Sequence, residues 1–203
     1  MISIQQLAFR AVRRLILRPI DDWRLRQEIV EQLSLVKRLG RGVVVDGPIS
    51  LGNPAETEIG DDVCLNRHLV VRGSGPLVLG SHLHFGHNVE ILTSNHNFER
   101  PEALPYDQVR TAKGVVVGDC VWLGDRSMIV PGVTVGEGAI LGAGAVITKD
   151  VPPLAIMGGA PAKIIRYRDE AAYRALVKEG RYLGWPRDQD FIQGVSMRVP
   201  RRS

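Results

Sequence analysis

A parallel β-solenoid assembled from six-residue units is the fold class that this 203-residue sequence predicts, and three observations predict it. From Val117 onward every sixth residue is aliphatic: Val117, Leu123, Ile129, Val135, Leu141 and Ile147. Four places after each comes a small or β-branched residue: Val121, Ser127, Val133, Ala139, Ala145 and Val151. The chain also holds 22 glycines against only 5% aromatics, so aliphatic side chains must fill its core while the backbone turns often. A six-residue period matches neither the 3.6 of a helix nor the 2 of a strand. It suits short extended pieces joined by tight turns, each offering one large and one small side chain to a narrow interior. Coils stacked this way share their stability along the rod.

The same frame continues upstream at Ile59, Leu65 and Val71 and, shifted by two residues, at Leu79, Phe85 and Ile91; Val45 and Leu51 fit it less well. Residues 1–40 lie outside the repeat and form an N-terminal helical segment, 41–166 form the solenoid, and 167–203 form a C-terminal helix and tail. In the first segment Leu7, Ala8, Val12, Leu15 and Ile16 alternate with Arg10, Arg13, Arg14 and Arg18, a basic amphipathic pattern able to touch an anionic membrane surface weakly. At the other end Asp169 is placed to cap a helix from Glu170 to Glu179 that Gly180 stops. Arg198, Arg201 and Arg202 fall in what reads as a mobile tail.

Composition narrows the function classes. The net charge of +4 is too small to argue for nucleic acid. Two cysteines make no disulfide framework and fit a reducing compartment, and no apolar run reaches the ~18–20 residues of a membrane span. With no signal-peptide cleavage site, the expected location is cytoplasmic.

Solenoids carry function where the period fails, because an insertion at a corner becomes a loop over a rigid wall. Here the frame breaks between Ile91 and Val117, and residues 97–113 form a polar, proline-punctuated loop. His96 stands where coil gives way to loop, and a neutral imidazole there could act as general base toward a hydroxyl or amine. The final coils are rich in small residues and prolines with interspersed cations, Ala143, Thr148 and Lys149, then Lys163 and Arg166. They suit a flat anionic ligand, and they would equally close the open end of a rod.

From 59 to 166, and most strongly from 114, this pattern resembles the hexapeptide-repeat acetyltransferases. The closest resemblance is to their sugar and polysaccharide O-acetyltransferase branch, which includes maltose and galactoside acetyltransferases. The resemblance rests on the six-residue frame, on Ser94-Asn95-His96 and on Gly158-Gly159-Ala160-Pro161-Ala162-Lys163. It implies an all-β, left-handed parallel β-helix of hexapeptide repeats with short N- and C-terminal helices. The handedness comes from the family alone, since parallel crossovers are ordinarily right-handed. It implies acetyl-CoA as co-substrate, no metal, and a homotrimer with active sites between subunits. A sugar or other small-molecule or glycan hydroxyl would be the acceptor, and His96 the catalytic base. Asn66 would contact the acceptor, although an asparagine there could also simply take a left-handed turn. Trp122 would wall the substrate or cofactor slot or pack between subunits. A backbone N–H near Gly124 and Asp125 would steady the thioester oxygen, and Ala143, Thr148, Lys149, Lys163 and Arg166 would line the CoA path.

Two other readings stay open. His82 and His87, five residues apart, share a spacing with the zinc ligands of the γ-class carbonic anhydrases, which use the same fold, although the frame scatters them over different corners. A β-helical scaffold without chemistry would also keep the repeat.

Overall fold

The computed structural model describes residues 18–183 continuously, together with residues 6, 10, 12, 13 and 15 before them and 196–198 after them. Helix α1 (Arg18–Ser34) sits at the head of the rod and buries Ile29 and Leu33 completely. From this helix the Gln32 amide also reaches the solenoid, donating to Ile49 O at 3.1 Å and accepting from Leu51 N at 2.7 Å. One side chain thus serves both exposed backbone groups of an edge strand. Ile20 and Trp23, on the far side, remain exposed. Of the basic amphipathic pattern, Leu7, Ala8 and Ile16 lie outside the described residues, while Val12 and Leu15 are exposed.

The strands follow in threes, one for each face of the rod. The first coil is β1 (Arg38–Leu39), β2 (Val44–Asp46) and β3 (Ile49–Leu51). The second is β4 (Thr57–Ile59), β5 (Cys64–Asn66) and β6 (Leu69–Arg72). The third is β7 (Leu77–Leu79), β8 (His84–Phe85) and β9 (Glu90–Leu92). A hairpin then leaves the rod through β10 (Ser94–His96) and returns through β11 (Arg110–Ala112). The fourth coil is β12 (Val115–Val117), β13 (Trp122–Leu123) and β14 (Met128–Ile129). The fifth is β15 (Thr134–Val135), β16 (Ile140–Leu141) and β17 (Val146–Ile147). A sixth begins at Val151, which bridges Val135, and continues into β18 (Ala155–Gly158). Strands β19 (Lys163–Tyr167), antiparallel to β18, and helix α2 (Glu170–Lys178) follow. Within the coils, each strand pairs in parallel with its counterparts above and below, giving three faces.

The interior obeys the sequence frame. Val117, Leu123, Ile129, Val135, Leu141 and Ile147 are all buried, and the small positions Val121, Ser127, Val133, Ala139, Ala145 and Val151 fill the space beside them. Each fully buried aliphatic contributes about 1.5–3 kcal/mol relative to exposure, so the stack is stabilised evenly along its length. Val45 and Leu51, which fit the frame less well, are core residues too. Their register explains the misfit. Val45 lies opposite Leu65, Ile59 opposite Leu79 and Val71 opposite Ile91, twenty residues apart in each pair. Lower down, Val117 lies opposite Val135 and Leu123 opposite Leu141, eighteen apart. The upper coils carry longer corners, and that shifts the frame.

The solenoid ladder begins at Arg38–Leu39, which pair with Glu58–Ile59, so its first strand falls within the segment that the repeat left out. Helix α2 forms where Asp169 caps it: the carboxylate accepts from Ala172 N at 2.8 Å, and Gly180 ends it with φ +63°. The tail expectation needs correcting at Arg198. That residue lies in β20 (Ser196–Arg198), antiparallel to β2, where unpaired backbone groups of the first coil recruit it. Arg201 and Arg202 lie outside the described residues.

Candidate active site

The hairpin at the edge between the third and first faces is the one place among the described residues where the coil is interrupted by a long excursion. Ser94, Asn95 and His96 pair with Ala112, Thr111 and Arg110, which fixes the root of the loop to the rod. Beyond it, the turn is organised by one carboxylate. Asp107 accepts from Val109 N at 2.8 Å, from Asn97 Nδ2 at 2.7 Å and from Glu102 N at 3.2 Å. These donors, the Val109 amide above all, hold the Asp107 carboxyl below the usual carboxylate range against a smaller opposing push from burial.

His96 is half-buried, and its ring stacks on Tyr106 from the loop at 3.8 Å with an interplanar angle of 23°. Its Nδ1 is buried without a hydrogen-bond partner among the described residues. The ring borders a cavity of about 100 Å³ lined by Arg72, Ser94, Asn95 and Arg110. An imidazole held by stacking beside a small opening is equipped to take a proton from a group entering there, through the ring nitrogen other than the enclosed Nδ1. The Tyr106 support and the Asp107 brace escape the sequence frame, because both act across the closed hairpin and neither follows a period.

Asn66 ends β5 on the second face, half-buried, with Cys64 Sγ donating to its Oδ1 at 3.3 Å. The left-handed turn reading fails for it. The positive φ in this corner belongs to His68, at +63°, since Asn66 is engaged in the strand ladder with Asp46. Trp122 lies on the same face, half exposed, and pairs in register with His84 and Ile140.

Gly124 and Asp125 occupy the edge between the second and third faces, and both are already engaged. The Gly124 N–H donates to Leu141 O at 2.7 Å, so this N–H is unavailable to a thioester oxygen. A Cβ on Gly124 would come within 2.6 Å of Leu141 O, so the glycine is required by the close approach of successive coils. The Asp125 carboxylate accepts from His87 N at 2.8 Å and faces His87 Nδ1 at 3.5 Å. The His87 amide chiefly holds its carboxyl low, which marks a structural brace for the coil above.

Ala143 is exposed on that same edge, one coil below Asp125. Thr148 and Lys149 are exposed on the hairpin's edge, below His96. Lys163 and Arg166 project from β19. Lys149, Lys163 and Arg166 are exposed and make no ion pair among the described residues, so they fit the phosphates of a nucleotide-bearing co-substrate. The structure thus divides the expected residues between two edges of one rod. His96, Thr148 and Lys149 share the first, while Asn66, Trp122, Gly124, Asp125 and Ala143 belong to the second face and its far edge.

The zinc reading is not supported by the geometry. His82 stacks face to face on Tyr182 at 3.8 Å and approaches Asp62, whereas His87 turns to Asp125 on another edge. Among the described residues no three His, Cys, Asp or Glu side chains gather around one point. A cysteine nucleophile is equally ill served. Burial pushes the Cys64 thiol up to about 12 and raises that of Cys120, so neither forms a ready thiolate.

Residues 114–149 match the family model described as bacterial transferase hexapeptide, six repeats. The chain is 40% identical over 108 residues to a chloramphenicol acetyltransferase of Agrobacterium fabrum, a match spanning 51% of this chain and 52% of the other. It therefore spans about half the length of that relative. It is 30% identical over 153 residues to YJL218W of Saccharomyces cerevisiae, a protein named as an acetyltransferase, with 74% of each chain covered. Among solved structures, it is similar to the hexapeptide-repeat acetyltransferase VCA0836 from Vibrio cholerae O1 biovar eltor complexed with acetyl coenzyme A. The identity is 27% and the TM-score 0.65, over 82% of this chain and 91% of the other. A β-helix with this repeat, shared with the Saccharomyces relative over 74% of each chain, places the chain in the hexapeptide-repeat acetyltransferase family.

Proposed function

We propose that this protein moves an acetyl group from acetyl-CoA to a hydroxyl of a small acceptor, a sugar or polysaccharide precursor, with His96 as general base. The observation that carries the proposal is an imidazole clamped by Tyr106 beside an opening at the root of the only long hairpin among the described residues. The imidazole takes the acceptor's O–H proton as its oxygen attacks the thioester carbonyl carbon. The carbon–sulfur bond then breaks, and the imidazolium returns the proton to the departing CoA sulfur. No residue is acylated and no metal enters. The complex of the Vibrio relative with acetyl coenzyme A supports the donor, and the unpaired Lys149, Lys163 and Arg166 are suited to its phosphates.

The division of the expected residues between two edges supports a homotrimer. His96 of one copy would face Asn66 and Trp122 of the next, completing a site that one rod alone leaves open. Cys64 and Cys120 are free thiols, as suits the reducing cytoplasm we assign to it. The test is an acceptor screen with free-thiol detection, on the wild type and on His96→Ala. Thiol release that requires an added alcohol and collapses in the variant is the expected result. Turnover at the wild-type rate in the variant would remove His96 from the mechanism.

A further inference from the structure

A cavity of about 450 Å³, much larger than the opening beside His96, lies on the outside of the second face. Its floor is His84, Trp122 and Ile140, and its roof is Leu176 of α2 with Tyr182 and Leu183. That volume falls within the ~300–1,000 Å³ of small-molecule sites. Trp122, Leu176, Tyr182 and Leu183 are all exposed around it, so a large apolar surface stands open to solvent.

The charged groups in the wall are already engaged, Asp62 facing His82 Nδ1 at 3.6 Å. Arg168 donates to Gly138 O at 2.9 Å and lies 4.9 Å from the Tyr173 ring centre. Arg181 pairs with Glu179 at 3.3 Å, and burial holds the His84 imidazole toward its uncharged form. The guest that matches such walls is uncharged and apolar, not a phosphate. The roof is held in place by Tyr182, which lies flat on the His82 ring.

Position links the cavity to chemistry. Trp122 forms part of its floor, and through His84 of β8 it aligns with Cys64 of β5, two strand steps or about 10 Å away, with Asn66 two residues farther along that strand. Resting on the acceptor reading above, we propose that the cavity binds an aryl or alkyl substituent of the acceptor alcohol. Lipophilic glycosides are then preferred to bare sugars. The hydroxyl-bearing end lies at Asn66, and the apolar end passes Trp122 into the pocket beneath α2.

The first test titrates the full-length protein with the neutral fluorophore N-phenyl-1-naphthylamine. Saturable binding is expected, weakened about tenfold by Leu183→Arg, whose side chain is exposed and whose replacement leaves the core intact. Absence of saturable binding overturns the proposal, as does displacement of the fluorophore by CoA, which would make the cavity a cofactor slot. The second test compares phenyl and methyl glycosides of one sugar. The wild type should favour the phenyl compound about tenfold in kcat/KM, through KM. In Leu183→Arg the preference should vanish while the KM for acetyl-CoA stays unchanged. Equal efficiency in the wild type overturns the inference. Should no alcohol be acetylated, the acceptor reading itself fails. Displacement of the fluorophore by phenyl but not methyl glycosides would still uphold the cavity, and its failure would overturn it.

Discussion

The coil stack and the 94–112 hairpin are built on opposite terms. In the stack every coil repeats the last: Val117 over Val135, Leu123 over Leu141 and Ile129 over Ile147, with backbone bonds passing from each strand to the next. In the hairpin nothing repeats. Residues 97–109 bury no large apolar side chain, Leu104 is 91% exposed, and one carboxylate collects the amides that shape the turn. Repetition spreads stability over many equivalent contacts, whereas the hairpin concentrates its order in Asp107 and one aromatic stack. The rod is the part that mutation finds hard to unfold, and the loop is the part that a single substitution can retune.

The sharpest way to break that contrast is at His96. His96→Ala should lower kcat by about 10²–10⁴-fold, measured by thiol release, with an unchanged thermal midpoint because the ring supports no coil. Mixing the His96→Ala chain with an Asn66→Ala chain sharpens it further. If the two residues meet only across subunits, co-refolded mixtures should regain about a quarter of the wild-type sites in a cyclic assembly. No recovery would place both residues in one chain's site.

Within the rod the effects pass to stability. Leu123→Ala should cost about 2–5 kcal/mol, read from the denaturant midpoint, whereas Leu104→Ala at the hairpin tip should stay within about 0.5 kcal/mol. Gly124→Ala should destabilise as well, because its new methyl group meets the backbone of the coil below. A Gly124→Ala protein that melts normally but has lost activity would return that residue to the catalytic site.

The smallest effect belongs to Asp107. Its carboxyl is held below the ordinary aspartate value, so the order it contributes is fully present above that value and is lost as pH falls through the lower folded one. Amide exchange at 97–109 should therefore stay slow at pH 5 and quicken only below about pH 4, while coil amides do not change. Asp107→Asn should leave those amides loose at every pH, with a severalfold loss of kcat and no change in melting.

The stack was legible from sequence because burial in a coil is a local matter. A residue's place in the six-residue frame says which way it faces, and Val117 through Ile147 faced inward as expected. Longer corners obscured the upper coils, where Gly73-Ser74-Gly75-Pro76 adds residues between β6 and β7 and shifts the frame without changing its sense. His96 stood out because it sits where the frame stops. Tyr106 and Asp107 did not, since each finds its partner ten residues away only after the hairpin has closed. The ties of Gly124 and Asp125 were hidden for a related reason. In a solenoid a corner residue answers first to the coil beside it, and sequence spacing does not show which N–H groups those neighbours already hold.

Strand β19 has a further consequence. It runs against the direction of β18 with a register break between Ile156 and Met157, and it turns Lys163 and Arg166 outward along its length. A regular parallel edge would offer the next molecule a ready template, and rods of this kind could then join end to end into fibres. A reversed, bulged and positively charged last strand removes that template from the second face of the rod.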